Sequence, residues 1–164
     1  MSDGKTEALS EITLYTDGAC AGNPGPGGWG AIVVCREPRA EKELSGAEPD
    51  TTNNRMEISA VIAGLASLKR RCRVTIVTDS RYVCDAFRKK WIDRWQKNGW
   101  RAAGKQPVKN PDLWRELLLH AARHEIEWQW IPGHAGHRYN ERADSLAVAA
   151  REALTRTGAT HQHK

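Results

Sequence analysis

The chain has 164 residues, of which 40% are hydrophobic and 27% are charged, a composition typical of a globular domain and not of a disordered chain. No apolar run reaches the ~20 residues that a membrane-spanning helix needs, and the polar residues 1–10 lack the apolar core of a signal peptide. We therefore expect a monomeric, cytoplasmic protein with one domain over residues 11–154, a disordered lead over 1–10 and a frayed tail over 155–164.

Apolar patterns predict five strands and four helices along the chain. The strands are expected at residues 11–17, 29–36, 41–48, 73–79 and 125–131. The helices are expected with apolar faces over residues 58–68, 80–90, 111–123 and 140–154. Residues 18–28 are rich in glycine and proline and are expected to form the turn between the first two strands. Three strands in a meander, followed by strands alternating with helices, predict an α/β fold with a mixed sheet.

Basic side chains cluster in residues 88–109, where eight lysines and arginines are opposed by one acidic residue, Asp93. That window carries a net charge of +7 and the whole chain carries +5, so the remaining residues carry −2. A basic block on a faintly acidic body suggests a polyanion partner, although a solvated helix face is an equally good interpretation of the charges alone.

Four carboxylates stand out by their positions. Two predicted strands end in Thr-Asp, at Asp17 and Asp79, but aspartate is also common in turns, and Asp79 could cap the next helix. Glu57 has two interpretations as well, because Asn54 to Glu57 has the spacing of a capping box. Asp144 lies one turn into the last helix, where no capping role explains it. Together they suit hard cations such as Mg²⁺, which would offset the repulsion within a carboxylate cluster.

Six separated motifs resemble those of bacterial type I ribonucleases H, in the same order. They are YTDGACAGNPGPGGWG at 15–30, TTNNRME at 51–57, TDS at 78–80, PVKN at 107–110, GHAGH at 133–137 and NERAD at 140–144. The resemblance covers about residues 11–150, and six ordered motifs make chance agreement very improbable. It implies the RNase H-like fold, a five-stranded mixed sheet of three antiparallel and then parallel strands, with helices on both faces.

The resemblance also implies an activity, namely endonucleolytic hydrolysis of the RNA strand of RNA–DNA hybrids, leaving 5′-phosphate and 3′-hydroxyl ends. Two Mg²⁺ ions, or Mn²⁺ in their place, would be bound by Asp17, Glu57, Asp79 and Asp144. His134 matches the mobile loop histidine of the family, which assists proton transfer or product release. His137, in the same loop, is expected to be structural.

Contacts to both strands of a hybrid follow from the same resemblance. The 2′-hydroxyl groups of the RNA would be recognised around the glycine-rich turn by Cys20, Asn23, Asn53 and Ser80. A phosphate of the DNA strand would be bound by Thr52, Arg55 and Asn110. Asn54 is counted with these substrate contacts, although Asn53 and Asn54 are alternatively helix caps.

The basic block 88–109 resembles the basic protrusion of many bacterial members. Trp91 is expected to pack against sugars of the DNA strand, with Trp95 and Trp100 holding the protrusion together. Because Trp91 and Trp95 share one helical face, a packed core is the other interpretation. Arg81 and Arg138 depart from the family pattern, since they stand where a glutamine and a proline are common.

Two other functions are compatible with this pattern. A non-catalytic hybrid-binding module would be expected to have lost some of the carboxylates or His134, and all of them are present. Another metal nuclease of the same superfold, such as a transposase or a junction resolvase, would share the carboxylates but neither the glycine-rich turn nor the Thr-Thr-Asn-Asn segment at 51–54. The sequence therefore favours a ribonuclease H.

Overall fold

The structure is a computed structural model that describes residues 9–102, 106–133 and 137–162, with side chains described as far as residue 154. The strands are β1 (Ser10–Cys20), β2 (Gly25–Arg36), β3 (Arg39–Thr51), β4 (Cys72–Thr78) and β5 (Glu125–Trp130). The helices are α1 (Asn53–Ala66), α2 (Arg81–Arg88), α3 (Trp91–Lys97), α4 (Pro111–Ala121) and α5 (Arg138–Gln162). Within these ranges, no helix is long and apolar enough to cross a membrane.

The five strands form one mixed sheet in the order β3-β2-β1-β4-β5. β1 pairs antiparallel with β2, and β2 with β3, as short turns allow. β4 lies parallel to β1 and β5 parallel to β4, each reached through helices that serve as crossovers. This arrangement confirms the predicted sheet of three antiparallel strands followed by parallel ones.

Helices pack on both faces of the sheet because successive side chains of a strand point to opposite sides. On one face, Leu14 of β1 lies against Gly64 of α1, where a Cβ would come within 2.4 Å of the leucine side chain. On the other face, Gly30 of β2 lies against α5, where a Cβ would be 2.3 Å from the carbonyl oxygen of Ala143. The prediction of helices on both faces is therefore confirmed.

The main core lies between the sheet and helices α1 and α4. Its fully buried side chains include Leu14, Ile58, Leu65, Ile76, Trp114 and Leu117. Burying each large apolar side chain contributes about 1.5–3 kcal/mol, so this layer supplies much of the stability that fixes the strand ends. The site described below is built on those ends.

The glycine-rich segment 18–28 is mostly strand, although its composition predicts a turn. β1 continues to Cys20, whose partner in β2 is Gly27, so only residues 21–24 turn the chain. A Cβ at Gly28 would lie 2.1 Å from the carbonyl oxygen of Ala147 in α5. Glycine is needed here because a helix backbone passes directly over the strand, which is a non-local reason.

The last helix differs from its predicted range at both ends. It begins at Arg138 and continues to Gln162, whereas the apolar pattern predicts residues 140–154. The backbone of 155–162, assigned by the sequence to a frayed tail, is helical, and no proline interrupts the segment. Helix α3, within the basic block, has no counterpart among the predicted helices, since it is short and mostly exposed.

Candidate active site

Asp17 and Asp79 lie side by side because the strands that carry them are parallel neighbours. The register between β1 and β4 pairs Tyr15 with Val77, so the residue two positions further on each strand is an aspartate. Asp79 follows the end of β4 directly and Asp17 lies near the end of β1. Carboxyl ends of parallel strands are where α/β proteins gather functional groups.

Asp79 is not the cap of the helix that follows it. Ser80 is the N-cap of α2, and its hydroxyl accepts a hydrogen bond from the Val83 N–H at 3.2 Å. The capping interpretation of Asp79 is therefore wrong, and its carboxylate faces the cleft instead.

Glu57 reaches the same place from the first turns of α1. A Cβ at Gly18 would lie 2.8 Å from the Glu57 nitrogen, so the glycine lets the helix approach the end of β1. The N-cap of α1 is Thr52, whose hydroxyl accepts from the Arg55 N–H at 3.2 Å. The capping-box interpretation of Glu57 is therefore wrong, as is the assignment of Asn53 or Asn54 as helix caps.

Three carboxylates converge and a fourth lies beside them. One oxygen each from Asp17, Glu57 and Asp79 lie within 4.8 Å of one another. Asp144 on α5 lines the same cleft, of about 380 Å³, and is within hydrogen-bonding reach of the Asp17 carboxyl. The structure thus brings together all four carboxylates that the sequence singled out.

The cluster is electrostatically strained without a counter-charge. Burial, and then the charge of Asp79, raise the pKa of Asp17 from 3.8 to about 8. Burial, followed by the charges of Asp17 and Asp79, raises the pKa of Glu57 well above its ordinary value. Glu57 Oε1 is buried and has no hydrogen-bond partner among the described residues. Hard oxygen donors with an unpartnered buried oxygen fit a divalent cation such as Mg²⁺.

All of the predicted contacts to RNA except Cys20 lie at or next to this cleft. Asn53, Asn54 and Ser80 line it together with the carboxylates. Asn23 lies next to them, and its side-chain oxygen accepts from the Asn53 N–H at 3.1 Å. Cys20 lies apart from the cleft lining, with its sulfur 3.4 Å from the Thr51 carbonyl oxygen.

The predicted DNA-phosphate residues are also neighbours. Arg55 Nη1 donates to the Asn110 side-chain oxygen at 3.2 Å, and the guanidinium forms an ion pair with Asp112 at 2.8 Å. The Thr52 hydroxyl caps α1 by accepting from the Arg55 main-chain N–H, which places Thr52 beside Arg55. Asp112 is a member of this group that the sequence did not reveal.

The tryptophans of the basic protrusion form a continuous series of tilted rings. Ring centroids lie 6.3 Å apart for Trp91 and Trp95 and 6.2 Å apart for Trp95 and Trp100. Trp95 also lies 5.7 Å from Trp114 of the core. All three protrusion rings are half-buried and packed against the core, as expected of Trp95 and Trp100. Trp91 fits its packing interpretation, while part of its ring stays exposed.

The loop that carries His134 starts and ends at defined positions, although His134 itself lies outside the described residues. At its start, a Cβ on Gly133 would lie 2.8 Å from Asp79 Oδ2. At its end, the His137 ring lies 5.4 Å from the Tyr15 ring. The beginning of α5 is tied to β3, since Tyr139 and Arg142 both donate hydrogen bonds to Glu41.

Three residues that line the cleft were not predicted as site residues, namely Gly18, Arg81 and Tyr82. Tyr82 lies in α2, which the sequence predicted only as a helix with an apolar face. Its hydroxyl accepts from Asn110 Nδ2 and from Trp114 Nε1, each at 3.2 Å, and so links the cleft to the Arg55 group. A buried tyrosine hydroxyl usually has a hydrogen-bond partner, so a tyrosine on an apolar helix face could have indicated a polar group nearby.

The fold and the cleft together define a class, an α/β protein with a carboxylate centre at the carboxyl ends of its central strands. Residues 9–152 match the family model described as RNase H. The chain is 57% identical over 148 residues to the ribonuclease H of Moorella thermoacetica, covering 90% of this chain and 96% of the relative. It is 60% identical over 136 residues to the ribonuclease HI of Neisseria meningitidis serogroup A, covering 83% and 92%.

Solved structures agree with the sequence relatives. LC9-RNase H1, a type 1 RNase H with the type 2 active-site motif, matches with a TM-score of 0.80 at 36% identity, over 90% of this chain and 74% of that one. The N-terminal RNase H domain of Rv2228c from Mycobacterium tuberculosis matches with a TM-score of 0.69 at 27% identity, over 91% and 99%. The chain therefore belongs to the RNase H family and is an enzyme of that family, which confirms the resemblance found in the sequence.

Proposed function

We propose that the protein is an endonuclease that hydrolyses the RNA strand of RNA–DNA hybrids with the help of two divalent cations, Mg²⁺ or Mn²⁺. The observation that carries the proposal is the convergence of Asp17, Glu57 and Asp79 within 4.8 Å, with Asp144 on the same cleft. Relatives named ribonuclease H, at 57–60% identity, support the choice of a hybrid as substrate.

The four carboxylates would hold the cations, with Asp17 and Asp79 sharing one of them. When bound, the cations supply an activated water and stabilise the leaving oxygen of the phosphodiester. The carboxylates need such a counter-charge, because the raised pKa values of Asp17 and Glu57 reflect buried groups that resist ionisation next to one another. Half-buried Asp144 would bind from the solvent side.

The product ends follow from which oxygen leaves. Water adds to phosphorus and the 3′-oxygen of the preceding ribose departs with a proton, so one product carries a 5′-phosphate and the other a 3′-hydroxyl. His134, which follows Gly133 in the sequence, is proposed to assist that proton transfer or the release of product. Histidine suits this role because its ordinary pKa lies near neutral pH, so the ring can take up and release a proton.

Discrimination of RNA from DNA is assigned to the polar groups beside the carboxylates. The 2′-hydroxyl both donates and accepts, and it is the group by which proteins distinguish RNA from DNA. Asn53 and Ser80 line the cleft, and Asn23 supports Asn53 from the turn. Arg55 and Asn110, linked through Tyr82 to the cleft, are proposed to bind a phosphate of the DNA strand.

Amide substitutions in the cluster test the proposal. Asp17→Asn and Asp79→Asn each keep the shape of the side chain and remove a charge, so each should abolish nearly all cleavage of a hybrid while the protein remains folded. Asp93→Asn, an exposed carboxylate on α3 outside the cleft, is the matched control and should cleave normally. Unchanged cleavage by either cleft variant would overturn the metal assignment.

The protein is proposed to act as a monomer in the cytoplasm, and its domain to comprise residues 11–154. Sedimentation at the working concentration checks the monomeric state directly.

A further inference from the structure

A second cleft opens beside the carboxylate cleft and is lined by basic groups. It measures about 350 Å³, and its lining residues are Arg81, Asp85, Arg88, Lys89 and Trp130. Arg81 lines both clefts, so the two adjoin at that side chain.

The charged residues of the second cleft lie along one face of α2 and at its C-cap, Lys89. Positions 81, 85, 88 and 89 follow the spacing i, i+4, i+7 and i+8, which aligns side chains along a helix. Asp85 is paired with Lys89 at 3.5 Å, so the positive charge of the face comes from Arg81 and Arg88. Both arginines are exposed, and Arg88 is also within hydrogen-bonding reach of the Cys84 sulfur.

Arg81 is held in place by an aromatic platform. Its guanidinium carbon lies 4.4 Å above the centre of the Trp130 ring. The Trp130 indole N–H in turn donates to the main-chain oxygen of Asp79 at 3.0 Å. Stacking uses the face of the guanidinium and leaves its N–H edge for a ligand, and a planar N–H edge matches phosphate oxygens.

We propose that this arginine strip, Arg81 followed by Arg88, binds phosphodiesters of the RNA strand beyond the phosphate that is cut; the inference rests on the proposed function. The strand is the RNA because Arg81 shares its cleft with the carboxylates, whereas Arg55 and Asn110 lie on α1 and at the start of α4. Seven residues of helix separate the two arginines, a rise of about 10 Å, close to the axial rise of three nucleotides.

The salt dependence of hybrid binding tests the strip. Each phosphate contact that is lost should reduce the slope of log KM against log salt by about 1. Arg81→Gln combined with Arg88→Gln should therefore lower the slope by about 2, and Arg81→Lys should keep it near that of the parent protein. The control is Arg70→Gln, an exposed arginine before β4, at the opposite end of that strand from Asp79. If the double variant keeps the parent's salt slope while the parent protein cleaves the hybrid normally, the proposed arginine strip is wrong and the proposed function stands.

Neutral phosphates locate the contact. A single methylphosphonate is moved along the RNA strand, and KM is measured for the parent protein and for Arg81→Gln. At one position outside the cut phosphate, the methylphosphonate should raise the KM of the parent about fivefold. It should not raise the KM of Arg81→Gln any further, because the neutral phosphate and the substitution remove the same contact. The proposal would be contradicted if the methylphosphonate raised KM equally in the parent and in Arg81→Gln at every RNA position. It would also be contradicted if the two proteins differed only for methylphosphonates in the DNA strand. Failure of the parent protein to cut any hybrid would instead count against the proposed function.

Discussion

Asp17 and Glu57 present two buried carboxyl groups to each other at the end of β1, and the N–H of Gly18 is directed at both of them. Each side chain is only 5% exposed, so neither charge is screened by water. The arrangement opposes folding unless a cation or a proton is present, because like charges in a buried site repel. A centre that is costly for stability and rich in metal-binding oxygens indicates selection for chemistry rather than for packing.

Asp17→Asn is predicted to stabilise the metal-free protein while it abolishes cleavage. The pKa of Asp17 is raised to about 8 in the folded state, against an ordinary 3.8. A carboxyl with a raised pKa favours the fold when protonated, and that contribution is lost as the pH rises from about 4 to about 8. At pH 8 without metal, the free energy of unfolding of the variant should therefore be about 1–2 kcal/mol higher than that of the parent. This difference corresponds to a rise in Tm of about 2–8 °C.

The same comparison at pH 4 supplies the control, since the parent carboxyl is then mostly protonated and the advantage of the variant should shrink. Adding Mg²⁺ at pH 8 should raise the Tm of the parent more than that of the variant, because binding to the folded state alone stabilises it. Equal Tm values at pH 8 without metal would mean that the cluster is not strained.

Gly133→Ala is predicted to reduce cleavage without unfolding the protein. A Cβ at this position would lie 2.8 Å from Asp79 Oδ2, so the methyl group must displace either the carboxylate or the entry to the loop. Displacement of a reacting constellation by about 1 Å can cost about 100-fold in rate. We expect kcat to fall by about tenfold or more. A substitution at exposed Pro132, one residue earlier, is the control, and a parent-like kcat in Gly133→Ala would contradict the close contact.

Neutralising the basic protrusion is predicted to weaken substrate binding and to leave the chemistry intact. Arg94 and Lys97 are exposed on α3, and Arg94 lines a surface cleft with Trp91 and Trp95. Arg94→Gln combined with Lys97→Gln should raise KM and lower its salt slope by up to about 2, with kcat little changed. Trp95→Leu should instead lower the Tm, since this ring contacts three other tryptophans. A KM that does not respond to the charge changes would show that the protrusion faces another partner.

His124 is predicted to destabilise the protein in mild acid. Its Nδ1 accepts from the Cys72 N–H at 3.1 Å, and burial, with the charge of Arg123, lowers its pKa below 6.5. A lowered pKa means that the fold favours the neutral ring, so this contribution is present above pH 6.5 and is lost as the pH falls below it. The unfolding free energy should fall by about 1 kcal/mol between pH 7.5 and 5.5, and by less in His124→Asn.

Asp17 titrates with the opposite sign over part of this range, so the experiment is best made with Asp17→Asn in both proteins. If the two proteins then lose the same stability between pH 7.5 and 5.5, His124 is not the group responsible.

Elements with a strong local pattern were predicted closely. β5 was expected at 125–131 and lies at Glu125–Trp130, and α4 was expected at 111–123 and lies at Pro111–Ala121. In both, the apolar period and the flanking residues act within a few positions of one another, which is the range over which a sequence can be interpreted directly. The N-cap of α1 was harder to predict, because three residues that favour this position follow one another from Thr52 to Asn54. Only the backbone conformation of the folded chain, which is extended at Thr52, selects Thr52 as the cap.

The features that escaped prediction depend on residues far apart in the chain. Gly28 and Gly30 of β2 are explained by the passage of α5, more than 100 residues later. The stack of Arg81 on Trp130 and the bonds of Tyr139 and Arg142 to Glu41 are equally non-local. The four carboxylates were found because their strand-end and motif positions are visible locally, whereas their convergence required the sheet order.

The most direct test of the central claim is cleavage of an end-labelled RNA–DNA hybrid in Mg²⁺, beside double-stranded RNA, double-stranded DNA and a chelator control. We predict cuts in the RNA strand of the hybrid alone, with 5′-phosphate and 3′-hydroxyl ends and with complete loss of cleavage when the metal is removed. Binding without cleavage, cleavage of DNA, or activity that survives the chelator would contradict the account.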